Sequence, residues 1–110
     1  MGRFVKGDVV VVPFPFSDLS NAKRRPSLVV AKLTRDDLIL CQITSRPVTD
    51  DYAIPIGSGD CTTGSLNRDS NVRPNRLFTA DSKIVLYRAG ELTRDKIREV
   101  IDKIVEIISA

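Results

Sequence analysis

At 110 residues and 12.2 kDa, the chain is long enough for one compact core and too short for two, so a single domain over residues 1–110 is expected. It has 42% hydrophobic and 28% charged residues, no apolar run near the roughly 20 residues of a membrane-spanning helix, and no N-terminal secretory h-region, which together predict a folded cytoplasmic protein. The net charge is +3 and there is no histidine, which excludes histidine-based ribonuclease chemistry, the Ser-His-Asp triad and most catalytic zinc sites.

Short apolar, β-branched runs separated by turns fill the first ninety residues. The predicted strands are residues 8–12, 28–33, 38–43, 52–56, 76–79 and 83–87. The first is expected to close at Pro13, residues 34–37 are typical of a hairpin turn, and Pro55 marks an edge or bulged strand. This pattern predicts a mainly β fold, built as a small barrel or a strongly bent sheet.

The last twenty residues change to helical periodicity. Thr93 is a good N-cap, and Asp95 in the first turn suits the positive end of a helix dipole. The apolar positions follow the i, i+3, i+4, i+7 rule and are Ile97, Val100, Ile101, Ile104, Val105 and Ile108. This stripe either covers one end of the barrel or forms a dimer seam, and covering the core is the favoured interpretation.

The two cysteines do not indicate a disulfide framework or a metal site. Cys41 lies in an apolar run, where a thiol usually acts as a small core residue. Cys61 lies among glycine, aspartate and threonine and is expected in a loop. Both are interpreted as structural, and no metal ligands are predicted.

Basic residues are concentrated before the predicted helix. Residues 1–90 contain 13 Lys and Arg against 9 acids, whereas residues 91–110 contain 4 against 5. Arginine supplies 11 of the 17 basic residues, and its planar guanidinium matches phosphate better than an ammonium group does. This distribution favours a nucleic acid or another phosphate-bearing partner.

Residues 14–26 are predicted to form a long polar loop between two strands. Lys23, Arg24 and Arg25 place three cations directly before the second strand. Phe14 and Phe16 are suited to stacking on the bases of a single strand. The alternative is an ordinary solvated loop with two aromatic rings folded beneath it, which sequence physics alone favours.

Two later segments carry further candidates. Thr44 and Ser45 follow the central apolar strand and could bind a phosphate through their hydroxyls, although simple strand termination is the explanation that the residues alone favour. Residues 64–81 have a loop-like composition and combine basic and amide side chains suited to RNA, with a plain surface loop as the alternative. The arginines of this segment are Arg68, Arg73 and Arg76.

Five motifs in order resemble the MazF/PemK family of toxins. They are the opening Gly7–Leu19 segment, the Arg25–Val30 segment of the form RPxLVV, Ile43–Ser45, the later hairpin at Ser70–Arg73 and Leu77–Asp81, and the amphipathic tail. Each motif is weak alone, and together they cover nearly the whole chain.

The resemblance implies an SH3-like barrel with a C-terminal helix that works as a homodimer and is held inactive by a cognate antitoxin. It implies a metal-independent, sequence-specific endoribonuclease that cleaves single-stranded mRNA by attack of the ribose 2′-OH, forms a 2′,3′-cyclic phosphate and needs no cofactor. Charge on the phosphate would be stabilised by arginines and hydroxyls rather than by a metal ion.

The same resemblance assigns the site residues. The catalytic positions map onto Arg25, Thr44 and, in the PemK branch, Arg73. The expected substrate-binding residues are Phe16, Asp18, Lys23, Arg24, Ser45, Asn75 and Arg76. An aspartate of that branch falls on Asn75 here, and an amide cannot act as a general base, so the base is open and Asp18 is one candidate.

Two other functions remain as alternatives. One is a non-catalytic toxin of the same fold that binds gyrase, as CcdB does, and such a protein has no need of the Arg25 and Thr44 pair. The other is an SH3-like module that binds RNA or protein, which accounts for the arginines but not for the ordered motifs.

Overall fold

A computed structural model describes residues 4–14, 23–64 and 68–110. Within those ranges, seven strands precede one helix. They are β1 (Asp8–Phe14), β2 (Lys23–Lys32), β3 (Asp37–Thr44), β4 (Ile54–Ile56), β5 (Cys61–Gly64), β6 (Ser70–Asp81), β7 (Tyr87–Leu92) and α1 (Arg94–Ser109). Short 3-10 turns lie at Ser58–Asp60 and Ser82–Ile84.

All seven strands form one antiparallel sheet in the order β4-β6-β3-β2-β1-β7-β5. The sheet curls into a half-barrel, with β4 and β5 at its two edges. The predicted mainly β, SH3-like class is therefore confirmed. Pro55 lies in β4, as expected of a proline in an edge strand.

Both faces of the sheet are covered by apolar side chains. Val9 and Leu28 belong to a core shared with the helix, whereas Val10, Val12 and Val29 pack in a second core on the opposite face. Alternate residues of a strand point to opposite faces, so a strand buried on both sides is apolar throughout. This is why the run of four valines in β1 shows no alternation.

Helix α1 closes the first core. Thr93 caps it by accepting a hydrogen bond from the Lys96 N–H at 3.3 Å. Val100 and Ile104 are buried against the sheet, as the favoured interpretation of the apolar stripe requires. Its outer members, Val105 and Ile108, are 53% and 72% exposed and do not contribute to that core.

The predicted loop over residues 14–26 is wrong at both ends. β1 continues through Pro13 to Phe14, and β2 begins at Lys23, with Phe14 opposite Lys23. Residues 15–22, between the two strands, lie outside the described part. Sequence patterning missed the start of β2 because Lys23 and Arg24 are exposed and the next two residues are only half-buried, so they lack the apolar pattern of a core strand.

Three other segments differ from the prediction. The predicted strand 76–79 is part of the longer strand β6, which begins at Ser70 and also includes Arg73, a residue expected in a loop-like segment. Of the predicted strand 83–87, only Tyr87 lies in a strand. Its first two residues belong to a 3-10 turn that the Asp81 carboxylate caps by accepting from the Lys83 N–H at 2.8 Å.

Cys61 begins strand β5 instead of lying in a loop. This short edge strand pairs with β7, and the two backbones approach closely at Gly64, where a Cβ would strike the Ala89 carbonyl. Gly64 also has φ of 67°, a conformation that favours glycine. A strand of four residues with a glycine at its end gives little periodic signal.

Candidate active site

A cleft of about 510 Å³ opens on the sheet and is called the central cleft here. It is lined by residues of β1, β2, β3 and β7 and by the chain around Ser70. Its basic lining residues are Arg24, Arg25, Arg68 and Arg88, and no acidic side chain is among the described residues that line it. Such a cleft is suited to a phosphate-rich ligand.

Arg25 and Thr44 face the central cleft from adjacent strands. β2 and β3 are antiparallel and their ladder ends at the pair Ser27–Gln42, so the same register continued by two residues brings Arg25 opposite Thr44. Opposed residues of antiparallel strands have side chains on the same face. The sheet therefore brings together the guanidinium and the hydroxyl that the sequence predicted as a catalytic pair.

The Thr44 side chain is oriented by its own loop. Its Oγ1 accepts a hydrogen bond from the Arg46 N–H at 3.1 Å, and Thr44 is half-buried. A threonine hydroxyl that accepts one bond can still donate its proton to a ligand. Ser45 also lines the central cleft, as predicted for a substrate-binding residue, and is exposed.

A second cavity of about 350 Å³ adjoins the first at Thr44 and is called the side cavity. Arg73 lies in it and pairs with Asp50, with Nη2 and Oδ2 3.0 Å apart. The backbone N–H of Tyr52 and the Arg73 guanidinium hold the pKa of the Asp50 carboxyl below its ordinary value. The three predicted catalytic residues therefore line two cavities that share Thr44 in their lining.

Arg88 lines the central cleft and was not among the predicted site residues. Its Nη1 lies 3.4 Å from Oδ1 of Asp8, whose side chain is fully buried, while the Arg88 side chain is 55% exposed. Asp8 is itself fixed by the Val5 N–H at 2.9 Å. No local sequence signal marks this pair, because its members are 80 residues apart and β7 lies later in the chain than the strand predicted there.

The remaining predicted residues lie elsewhere. Arg24 lines the central cleft, whereas Lys23 is exposed at the start of β2 and lines neither cavity. Asn75 and Arg76 are exposed on β6 and also line neither cavity. Two further predicted residues, Phe16 and Asp18, lie outside the described residues.

Two further findings concern all the described residues. In residues 4–14, 23–64 and 68–110, no three His, Cys, Asp or Glu side chains are grouped as a metal site would require. Across the same ranges, no helix is both long enough and apolar enough to cross a membrane.

Fold and cleft together define a small SH3-like half-barrel protein with a basic, phosphate-suited cleft on its sheet. A family model described as "PemK-like, MazF-like toxin of type II toxin-antitoxin system" matches residues 5–108. The chain belongs to this family, whose members are endoribonucleases. The predicted resemblance and the endoribonuclease class are thereby confirmed.

Solved structures share the fold at low sequence identity. The chain is similar to MazF from Deinococcus radiodurans, with 19% identity, a TM-score of 0.75 and 97% of each chain covered. An endoribonuclease in complex with its cognate antitoxin from a mycobacterial species is 14% identical, with a TM-score of 0.75 and 96% of this chain and 95% of that chain covered.

The Mycobacterium tuberculosis toxin MazF-mt6 is 15% identical, with a TM-score of 0.71 and 93% of this chain and 96% of that chain covered. A comparison with curated proteins gives no significant match.

Proposed function

We propose that this toxin cleaves single-stranded mRNA at short sequences, without a metal ion, by attack of the ribose 2′-OH on the adjacent phosphate. The observation that carries the proposal is the placement of Arg25 and Thr44 on adjacent strands in one basic cleft. A gyrase-binding protein of the same fold has no need of this pair. A module that only binds RNA or protein has no need of a hydroxyl beside the arginine.

The proposed step is an in-line transfer at phosphorus. The 2′-oxygen forms a bond to phosphorus and loses its proton, the bond from phosphorus to the 5′-oxygen breaks, and the 5′-oxygen takes up a proton. The products are a 2′,3′-cyclic phosphate and a 5′-hydroxyl. Negative charge builds on the non-bridging oxygens, where fixed donors are worth most.

Arg25 is proposed as the electrostatic clamp on those oxygens, since its guanidinium stays protonated and is half-buried on a rigid strand. Thr44 is proposed to donate its hydroxyl proton to the scissile phosphate or to accept from the 2′-OH. Arg73 enters from the side cavity, and Arg24 and Arg88 hold neighbouring phosphates along the central cleft. Each catalytic donor contributes about 3 kcal/mol at the transition state, by analogy with a single oxyanion donor.

The test is incubation of the purified chain with a long single-stranded RNA in EDTA, followed by analysis of the fragment ends. We expect cleavage to persist under chelation, because the full sequence has no histidine and the proposed chemistry uses arginines and a hydroxyl. The fragments should carry 2′,3′-cyclic phosphates, and an RNA with a 2′-deoxy sugar at the cut position should stay intact.

Three results would contradict the proposal. Loss of all activity in EDTA with recovery in magnesium would remove the metal-free mechanism. Cleavage of the 2′-deoxy substrate at the same position would remove the 2′-OH as nucleophile. Binding of RNA without any cut, in chelator or in magnesium, would favour a binding module.

The further proposals concern assembly. We propose that residues 1–110 act as one cytoplasmic domain, that two copies form a homodimer, and that a cognate antitoxin holds the toxin inactive. One structurally similar endoribonuclease is in complex with its cognate antitoxin, and one hydrophobic core joins sheet and helix in this chain. A solution mass equal to one 12.2 kDa chain at micromolar concentration would exclude the dimer.

A further inference from the structure

Arg73 lies in a large bulge of β6. Ile43 faces Val72 and Cys41 faces Leu77, so four residues of β6 lie opposite Gln42 alone. A bulge redirects the side chains of the strand that contains it. The buried Cys41 thiol donates to the Arg73 carbonyl at 3.0 Å, and burial raises the pKa of that thiol to about 12, so it stays a donor. The backbone of Arg73 is therefore fixed from the core side.

Asp50 fixes the other end of the same side chain. Its Oδ1 accepts from the backbone N–H groups of Tyr52 at 3.0 Å and Ala53 at 3.1 Å. Its Oδ2 accepts from Arg73 Nη2 at 3.0 Å. One carboxylate oxygen thus shapes the loop after β3, while the other holds the guanidinium that this loop faces.

The orientation of the guanidinium leaves one of its donors unsatisfied. Arg73 Nε is buried and has no hydrogen-bond partner among the described residues. A buried N–H without a partner is unfavourable, so Arg73 would rotate to satisfy it if nothing opposed the rotation. The ion pair with Asp50 opposes it.

The carboxylate that pairs with Arg73 therefore comes from a distant part of the chain and not from position 75. Position 75, two residues after Arg73, is an asparagine that is exposed and lines neither cavity. Asp50 lies 23 residues before Arg73 and lines the same cavity, which also contains Thr44.

We propose that Asp50 is a positioning residue that holds the Arg73 guanidinium beside Thr44 in the orientation that engages an RNA phosphate. The inference rests on the proposed function and adds a residue to it. Asp50 acts through Arg73 and not as a base, because a carboxylate whose pKa is lowered below its ordinary acidic value is a poor proton acceptor at neutral pH. Its contribution should therefore vanish when Arg73 is absent.

Asp50→Asn is the informative variant. Asparagine keeps an oxygen that can accept from Tyr52 and Ala53, so the loop is retained, but the charge that holds Arg73 is lost. Asp51→Asn is the matched control, because it removes the same charge at the neighbouring exposed residue, which lines neither cavity. Arg73→Ala and the double variant Asp50→Asn/Arg73→Ala complete a cycle.

Single-turnover cleavage of one RNA should fall about tenfold in Asp50→Asn, an expected size for one charged hydrogen bond, and stay within twofold of the parent in Asp51→Asn. In the Arg73→Ala background, Asp50→Asn should change the rate less than twofold. The positioning role is overturned if Asp50→Asn cleaves like Asp51→Asn, or if its full loss persists without Arg73.

The nitrogen-15 NMR signals of the arginine side chains provide a readout that does not depend on cleavage. In the parent, the Arg73 Nη signals should be resolved by slow rotation, and in Asp50→Asn they should average while the backbone spectrum is retained. An averaged Arg73 signal in the parent would overturn the inference. A parent that cleaves no RNA but shows the slow rotation would remove the proposed function and leave the pairing of Asp50 with Arg73 standing.

Discussion

The central cleft and the side cavity handle positive charge in opposite ways. Four arginines line the central cleft, and among the described residues no acid lines it with them. In the side cavity, Arg73 is 21% exposed and paired with Asp50 at 3.0 Å. The first arrangement maximises the potential that attracts a polyanion, whereas the second gives up net charge to fix the direction of one donor.

The same contrast separates binding from chemistry. Exposed arginines in an open cleft contribute affinity that falls with salt and is little affected by small displacements. A donor that acts on a transition state must be in place beforehand, since displacements near 1 Å are costly. The role proposed for Arg25 combines both features, because Arg25 lines the basic cleft and is half-buried on β2, the strand next to that of Thr44.

The largest effect should therefore come from Arg25. We expect Arg25→Ala to reduce single-turnover cleavage at least about 100-fold, since it removes charge stabilisation at the phosphate. Thr44→Ala should cause a similar loss, and Thr44→Ser should retain most activity because the hydroxyl is kept. The measurement is cleavage of one RNA under single-turnover conditions, with circular dichroism to check folding.

Arg98→Ala on the exposed side of helix α1 is the matched control for loss of an arginine. It should cleave like the parent. An Arg25→Ala protein that cuts within about threefold of the parent would show that the central cleft only binds RNA.

Arg88 should have a smaller effect of a different kind. Its side chain is 55% exposed, so Arg88→Ala should weaken binding of a non-cleavable 2′-deoxy oligonucleotide by about fivefold, the upper range for an exposed charge contact. The slope of log affinity against log salt should become shallower by about 0.7, the value for one phosphate of a single strand. The cleavage rate at saturating RNA should change little.

The salt titration tests whether Arg88 contributes to binding or to the cleavage step. An unchanged slope in Arg88→Ala would mean that this arginine does not contact phosphate. A large fall in the rate at saturation, with unchanged affinity, would place Arg88 among the catalytic donors and remove the proposed division between the cavities.

Local sequence patterns predicted helix α1 and one hairpin of the sheet well. Helix α1 follows from its 3.6-residue periodicity and the cap at Thr93, both of which depend only on neighbours in sequence. The hairpin of β2 and β3 follows from two apolar runs and the turn between them, where Arg35 adopts φ of 65°. The family motifs supplied the barrel class, which periodicity alone left open between a barrel and a bent sheet.

The edges of the cleft could not be predicted in the same way. The start of β2, with Arg25, and the bulge of β6, with Arg73, have side chains that face the cavities, so both segments break the apolar pattern by which strands are recognised. The carboxylate partners of Arg73 and Arg88 come from distant segments. Contacts of this kind depend on the register of the folded sheet and leave no local signal.

The smallest expected effect is that of Asn75→Asp, which restores the acid of the PemK-like branch at an exposed position outside both cavities. Arg73 is already held by Asp50, so a new carboxylate should divert it little and act mainly as a negative charge near the RNA. We expect cleavage to slow about twofold, the size of a weak exposed charge interaction. Single-turnover rates of both proteins across pH provide the measurement. A faster variant with a titrating limb near the ordinary aspartate pKa of about 3.9 would show instead that a carboxylate at this position assists proton transfer. That result would mean that the fold can accommodate a general base at position 75, and that the parent protein cleaves RNA without one.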